Sequence, residues 1–229
     1  MISPRFEEIR ILDRIAGLSL PLVHHSAREH VYPWGIDSLF AKPGTRISLV
    51  GYGSLINLRS AGRSISAATI RQASPVIVLR ARRIYEYVMS PRGREVYGGV
   101  VCESRCGVLN ARPSESNEDW FNGMEFSLDA SDMQALVSRE SAYDLIPAWT
   151  IPWAENGSLP KVSYFLSCRR ATFAGRQTLN SGLLPHPQYH AICEEGCRDV
   201  SDSFLNAFHT STWVRNARFA DYDWFQEAE

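Results

Sequence analysis

Lysine is almost missing from this chain: only Lys42 and Lys161 appear among its 24 basic residues, and the rest are arginines. Net charge is missing too, since those 24 basic residues face 25 acidic ones and leave a formal charge of -1. A neutral chain has no global field to gather nucleic acid or an anionic lipid surface, so neither partner is expected. No stretch approaches the roughly 20 consecutive apolar residues that a membrane helix needs. The N-terminal MISPRFEEIRILDRIAGLSLPLVHHS is interrupted by Arg5, Glu7, Glu8, Arg10, Asp13 and Arg14, so no signal-peptide core is expected there. Five cysteines, an odd number in 229 residues, argue against a secreted disulfide framework and for a reduced, cytoplasmic protein.

What is present is ordinary globular composition, 45% hydrophobic and 21% charged, enough for one core. Phe6, Ile9, Leu12 and Ile15 recur at helical spacing and predict an amphipathic helix over 3–16. Pro21, Pro33, Gly35, Pro43 and Gly44 punctuate 20–45 as loop, so an N-terminal helical extension, 1–45, is expected before a main domain, 46–229. ISLVGYGSL (47–55) reads as a buried strand running into a tight loop, with room for a short helix over 55–64. Strand-like runs follow in SPVIVLRARRIYEYVMS, EVYGGVVCES, CGVLNARPS and NGMEFSL, broken by PRGR and PSESNED. A helix is predicted over 129–139, with Ser131 and Gln134 as a capping-box pair and Met133, Leu136 and Val137 as one apolar stripe. Strands are expected at 145–152 and 161–168, and two helices in PQYHAICEEGCRDV and SDSFLNAFHTSTWV. Strands do not alternate regularly with helices, which argues against a doubly wound sheet and for an α+β fold around a mixed sheet or small barrel.

The most informative local feature is the glycine loop. A strand ending in Gly51-Tyr52-Gly53-Ser54 can present consecutive backbone N–H groups to an anion, because glycine tolerates close approach and unusual φ; a plain glycine turn is the bland alternative. A dinucleotide fingerprint would need glycine where Ile56 stands and an acid within 69–79, and a nucleophile elbow would need glycines where Tyr52 and Ile56 flank Ser54. Cys102/Cys106 and Cys193/Cys197 share C-x3-C spacing near His190, which makes a composite zinc site conceivable, but buried free cysteines are the commoner outcome. Arg80, Arg82, Arg83, Arg92 and Arg94, interleaved with Glu86 and Glu95, read as a solvated sheet face. His186 and His190 have i,i+4 spacing with Pro187 between them. Glu140 continues the stripe of Met133, Leu136 and Val137, so a carboxylate falls at an inward position, where burial raises its pKa toward values suited to proton transfer.

Read together, VGYGSL after a strand and RES-x-Y after a helix resemble the γ-glutamylcyclotransferase-like superfamily. Gly123-Met124-Glu125-Phe126 matches its middle strand, and VSYFLSC with the two C-terminal helices is similar to its closing elements, over about 46–210. The N-terminal extension has no counterpart in small members, and Asn57 stands where the glutathione-specific branch has tryptophan. The resemblance implies a small mixed β-barrel flanked by helices. It also implies an enzyme that cyclises a γ-glutamyl amine or peptide to 5-oxoproline, an acyltransferase or lyase chemistry. In that reading Glu140 is the general acid/base. The 52–55 loop (Tyr52, Gly53, Ser54, Leu55) anchors the glutamyl group, with the Tyr52 hydroxyl as an extra donor, and Tyr143 positions the glutamate. Neither metal nor organic cofactor is implied, and the partner is a small-molecule γ-glutamyl substrate. The alternative is a non-catalytic barrel that binds a small carboxylate ligand or a protein partner through the same cavity.

The N-terminal stripe is too apolar to leave in water, each buried side chain contributing roughly 1.5–3 kcal/mol. Deleting residues 1–18 is expected to lower thermal stability or solubility, as read from thermal melts of the truncated and full chains.

Overall fold

The computed structural model describes residues 36–97, 105–137, 139–140, 142–154 and 159–224. The amphipathic helix expected over 3–16 lies outside them, and the first described element is a one-turn helix, α1 (Ile36–Leu39), inside the stretch read as loop. In chain order there follow β1 (Ile47–Gly51), α2 (Leu58–Ala61), α3 (Ala67–Ile70), β2 (Ser74–Leu79), β3 (Ala81–Val88), α4 (Pro91–Tyr97), β4 (Cys106–Pro113) and β5 (Trp120–Leu128). The second half holds α5 (Ala130–Val137), β6 (Asp144–Pro152), β7 (Lys161–Ser167), the short β8 (Thr172–Phe173), β9 (Arg176–Gln177) and β10 (Leu184–Pro185), then α6 (Pro187–Val200) and α7 (Asp202–Ser211). It ends in β11 (Thr212–Val214), β12 (Ala217–Arg218) and a 3-10 turn at Phe219–Asp221.

Five strands close a barrel in the order β1-β5-β2-β6-β7. Its pairs are antiparallel except at the seam, where β1 and β7 run parallel with Leu49 opposite Tyr164 and Val50 opposite Phe165. A second sheet, β10-β4-β3-β11-β12, packs beside it. This is the α+β architecture around a small mixed barrel that the sequence led us to expect. β2 carries the β-branched run VIV and β3 mixes β-branched Ile84 and Val88 with aromatic Tyr85 and Tyr87, side chains that suit a pleated, buried surface. Arg80 turns the chain from one sheet to the other at φ 55, a left-handed corner. Gly123 on β5 has no room for a side chain, since a Cβ would stand 2.6 Å from the Gly51 carbonyl oxygen across the β1 pairing.

Several local expectations need correcting. PRGREVY is not a break followed by a strand: Ser90 Oγ accepts from Gly93 N (3.1 Å) and Pro91 occupies the first helical position, where its missing N–H costs nothing, so α4 forms. Asp129, not Ser131, caps α5, its Oδ1 accepting from Asp132 N at 2.9 Å. His186 is the N-cap of α6 with Pro187 at its start, so the i,i+4 pair with His190 does not lie on one helix face. The last residues of SDSFLNAFHTSTWV leave the helix, because Thr212, Trp213 and Val214 pair in parallel with β3.

The largest correction concerns the arginines. Arg83 is fully buried rather than on a solvated face. Its Nε donates to Thr212 Oγ1 (2.8 Å), Nη1 to Asn122 O (2.6 Å) and Tyr52 O (3.4 Å), and Nη2 to Asn122 Oδ1 (3.0 Å), Phe208 O (3.1 Å) and Ser211 Oγ (3.0 Å). Glu86 is buried as well and paired with Arg112. Cys168, Cys193 and Cys197 are free and buried, as expected of small hydrophobes, whereas Cys106 is disulfide-bonded, which corrects the expectation of a fully reduced chain. No zinc cluster of cysteines assembles among the described residues.

Removing the Arg83 guanidinium leaves its acceptors unpaired in a dry interior, at about 1–3 kcal/mol for each one left unsatisfied. Arg83→Met is expected to lower the unfolding free energy by at least ~3 kcal/mol in urea titrations. An unchanged midpoint would show that the acceptors find other partners.

Candidate active site

β1 delivers the glycine loop and α5 delivers the carboxylate. The loop leaves the barrel after Gly51 and turns back through a hydrogen bond from Ile56 N to Gly53 O (2.9 Å). α5 ends at Val137, but Arg139 N and Glu140 N both still bond to Leu136 O, at 3.0 and 2.9 Å, so the helical path carries Glu140 inward as its spacing predicts. Met133 and Leu136, fully buried, fix that face against the barrel. The two segments meet over a cavity of about 220 Å³. All six residues singled out in the sequence line it: Tyr52, Gly53, Ser54, Leu55, Glu140 and Tyr143.

Their individual settings differ from the simplest expectation. The Tyr52 hydroxyl donates its only proton to Leu166 O (2.5 Å), so toward the cavity it can serve as an acceptor and not as a donor. Its ring is held edge-on by Phe121 and Phe165, at 5.5 and 6.4 Å between centroids. Gly51 and Gly53 do not supply a left-handed φ; among the described glycines only Gly44 and Gly175 do. Gly53 is needed for space, because a Cβ there would lie 2.1 Å from the Tyr189 hydroxyl oxygen. Among the described residues no acceptor engages the backbone N–H groups of Gly53, Ser54 and Leu55. Tyr143 is tied to Glu140 through the backbone, N to O at 3.1 Å, and its ring lies 4.9 Å from that of Tyr87.

The residue that the sequence reading passed over is Arg139, although it stands in the RES motif itself. Its Nε lies 3.0 Å from Glu140 Oε1, its Nη2 donates to Ser54 Oγ (2.8 Å) and its Nη1 to Ser60 O (3.0 Å). One guanidinium thus joins the carboxylate, the glycine loop and α2. Burial raises the Glu140 carboxyl above the ordinary carboxylate range, and Arg139 partly opposes that rise by charge and hydrogen bond. Burial also pushes the Tyr52, Tyr143 and Tyr189 hydroxyls well above the usual phenol range, so all three stay neutral around the one carboxylate. Tyr189 on α6 and Arg63 also line the cavity, and no local sequence signal marks them because they arrive from distant segments. Asn57 is 3% exposed and caps α2 by accepting from Ser60 N (3.1 Å), which keeps it out of the lining.

No family model matches the sequence, and no curated protein matches it. Among solved structures, YkqA from Bacillus subtilis is similar over 74% of this chain, at 13% identity and a TM-score of 0.47, and the chain spans only 55% of that protein. An AIG2-like protein from Mus musculus is similar over 62% of this chain and 97% of its own, at 11% identity and a TM-score of 0.35. At3g28950.1 from Arabidopsis thaliana is similar over 68% and 79% of the two chains, at 11% identity and a TM-score of 0.39. These neighbours are members of the γ-glutamylcyclotransferase-like fold, the likeness expected from the two motifs. At such identities and TM-scores the likeness carries no argument about activity.

The contact of Gly53 with Tyr189 gives a direct test of loop geometry. Gly53→Ala overpacks the site and is expected to cost about 1–3 kcal/mol. Adding Tyr189→Phe removes the clashing oxygen and should recover most of that loss in a double-mutant cycle of denaturation midpoints.

Proposed function

We propose that the chain is a γ-glutamylcyclotransferase-type enzyme that folds a γ-glutamyl amine, peptide or modified amino acid onto itself and releases 5-oxoproline. The single observation that carries this reading is that the buried Glu140 carboxyl lines the same cavity as the glycine loop, whose Gly53, Ser54 and Leu55 N–H groups engage no acceptor among the described residues. In the reaction the α-amine nitrogen of the substrate bonds to its own γ-carbonyl carbon, and the bond from that carbon to the departing amine breaks. An α-ammonium, with a pKa of about 7.7–8.0, is not a nucleophile until it loses a proton. The Glu140 carboxylate takes that proton and passes it to the leaving nitrogen, and the second proton that the ring nitrogen sheds after attack ends on the released amine as its ammonium, so no net proton is gained or lost.

The rest of the cavity supports orientation. The N–H groups of Gly53, Ser54 and Leu55 suit a carboxylate or a developing oxyanion, and Arg63 offers a cation at the rim. Arg139 holds Glu140 in one orientation and helps keep it ionised, which a base must be before it accepts a proton. The neutral tyrosines and the wall of Val50, Leu109 and Leu166 exclude water, and much of the gain comes from holding the chain in its cyclising conformer. Met89, Val96 and Tyr97 complete the lining and do not specify the leaving amine. No described helix is long and apolar enough to cross a membrane.

The test is incubation with a panel of γ-glutamyl compounds, glutathione included, with 5-oxoproline assayed. Glu140→Gln keeps the shape and removes the base, so turnover should fall about 10²–10⁴-fold with binding largely retained. Because burial raises the Glu140 pKa, the acidic limb of kcat/KM should lie above the ordinary carboxylate value of 4.5. Stability follows from the same shift. The folded state holds the Glu140 proton more tightly than the unfolded chain, so stability is lost as pH rises from 4.5 through the raised value. Glu140→Gln should remove that slope in pH-dependent melts. A folded Glu140→Gln protein with wild-type turnover places the base elsewhere. No 5-oxoproline from any compound would leave a carboxylate-binding barrel.

A further inference from the structure

A second convergence of chemistry-bearing side chains lies on α6 and α7, apart from the cavity lining. His190 and Glu194 stand one turn apart on α6, and α7 packs on α6 so that His209 reaches the same point. His190 Nε2 lies 3.3 Å from Glu194 Oε1 and His209 Nε2 lies 2.7 Å from the same oxygen, with the three donor atoms all within 4.8 Å of one another. A tetrahedral ion with metal–nitrogen bonds of about 2.0–2.1 Å holds its donors roughly 3.3 Å apart, inside the spread found here.

Each donor is oriented by a second group. Tyr85 Oη meets His190 Nδ1 at 2.7 Å, which turns Nε2 toward the cluster. Arg198 Nη2 holds the other carboxylate oxygen of Glu194 at 2.9 Å and leaves Oε1 for a ligand. The Phe219 ring stacks on both imidazoles, with centroids 4.6 Å from His190 and 4.9 Å from His209, fixing their planes. A ligating histidine whose remote nitrogen is hydrogen-bonded, beside a carboxylate whose second oxygen is engaged, is the usual outer arrangement of a metal centre. The three side chains keep 15–24% of their surface exposed, which admits an ion and a water to complete its coordination.

We propose that His190, Glu194 and His209 bind one borderline divalent cation, best matched by Zn2+. Two imidazole nitrogens and one carboxylate oxygen suit zinc rather than magnesium or calcium, which take oxygen donors. The ion would clamp α6 to α7. α6 also carries Tyr189 into the candidate active site, so the clamp would stiffen one of its walls. This inference does not depend on the proposed reaction.

The test uses the full chain, stripped with a chelator and titrated with Zn2+ by calorimetry, then with Co2+ by absorption. The expected result is one saturable equivalent of zinc, a higher melting temperature with zinc, and a cobalt spectrum without a thiolate charge-transfer band. His209→Gln and Glu194→Gln should each weaken zinc binding by about tenfold or more, the usual range for lost metal-site contacts. If His209→Gln fails to fold, Glu194→Gln and the cobalt spectrum of the wild type decide alone. Absence of a saturable equivalent, undiminished binding in both variants, or a thiolate band pointing to Cys193 and Cys197 would overturn the proposal.

Discussion

Arg83 carries a guanidinium that water does not reach, and its six acceptors come from the glycine loop, β5, the end of α7 and β11. Burying an unpaired cation costs several kcal/mol, so such a group is tolerated only where its donors are met. Here they are met by backbone carbonyls, hydroxyls and the Asn122 side-chain amide rather than by a carboxylate, and the Phe208 ring centre lies 4.1 Å from the guanidinium carbon. Burial draws its pKa down to about 10, which still leaves it charged at neutral pH. Phe208 O, near the end of α7, also accepts from the backbone N–H and the hydroxyl of Thr212, so the arginine adds one more donor to a carbonyl that the helix terminus already uses. The two sheets, the terminal helix and the loop at the site are therefore registered against one fixed charge.

A second arginine does comparable work at the cavity. Arg139 reaches the loop through Ser54 and α2 through Ser60 while its Nε rests against Glu140. The carboxylate is thus pulled two ways, toward the neutral form by burial and toward the charged form by its neighbour. Neither influence alone would suit a base: a free surface carboxylate is too weak one, and an unpaired buried carboxyl would hold its proton. Strain of this kind belongs at a site rather than in a structural core.

Much of this was legible in the sequence, and the exceptions share a cause. The period of Met133, Leu136 and Val137 carried Glu140 to the cavity even though the helix proper ends early, because Arg139 N and Glu140 N still bond back to Leu136 O. The β-branched run of β2, the β-branched and aromatic residues of β3, the Pro187 start of α6 and the Ser201 start of α7 are local signals, and each element formed where its residues favoured it. What could not be read were partnerships made across the fold. Arg83 looks like its neighbours in a basic stretch, and only the arrival of Asn122, Phe208 and Thr212 buries it. His190 and His209 are separated by the turn at Ser201, and nothing local says that α7 packs back on α6. Gly53 was read as a conformational device, whereas its role is to make room for a tyrosine from the far end of the chain.

The barrel's seam bears on how this site comes into being. β1 closes the barrel by pairing Leu49 with Tyr164 and Val50 with Phe165, a short parallel contact between strands far apart in the chain. Loop-closure entropy opposes such distant pairings until nearer ones are in place, so the antiparallel neighbours β3–β4 and β6–β7 have the kinetic advantage. The glycine loop begins where that seam ends, and the cavity walls come from β1, β3, α4, β4, β7, α6 and the segment that follows α5. The cavity is thus complete only when the barrel shuts, and a chain that stops short of closure has native-like hairpins and no site.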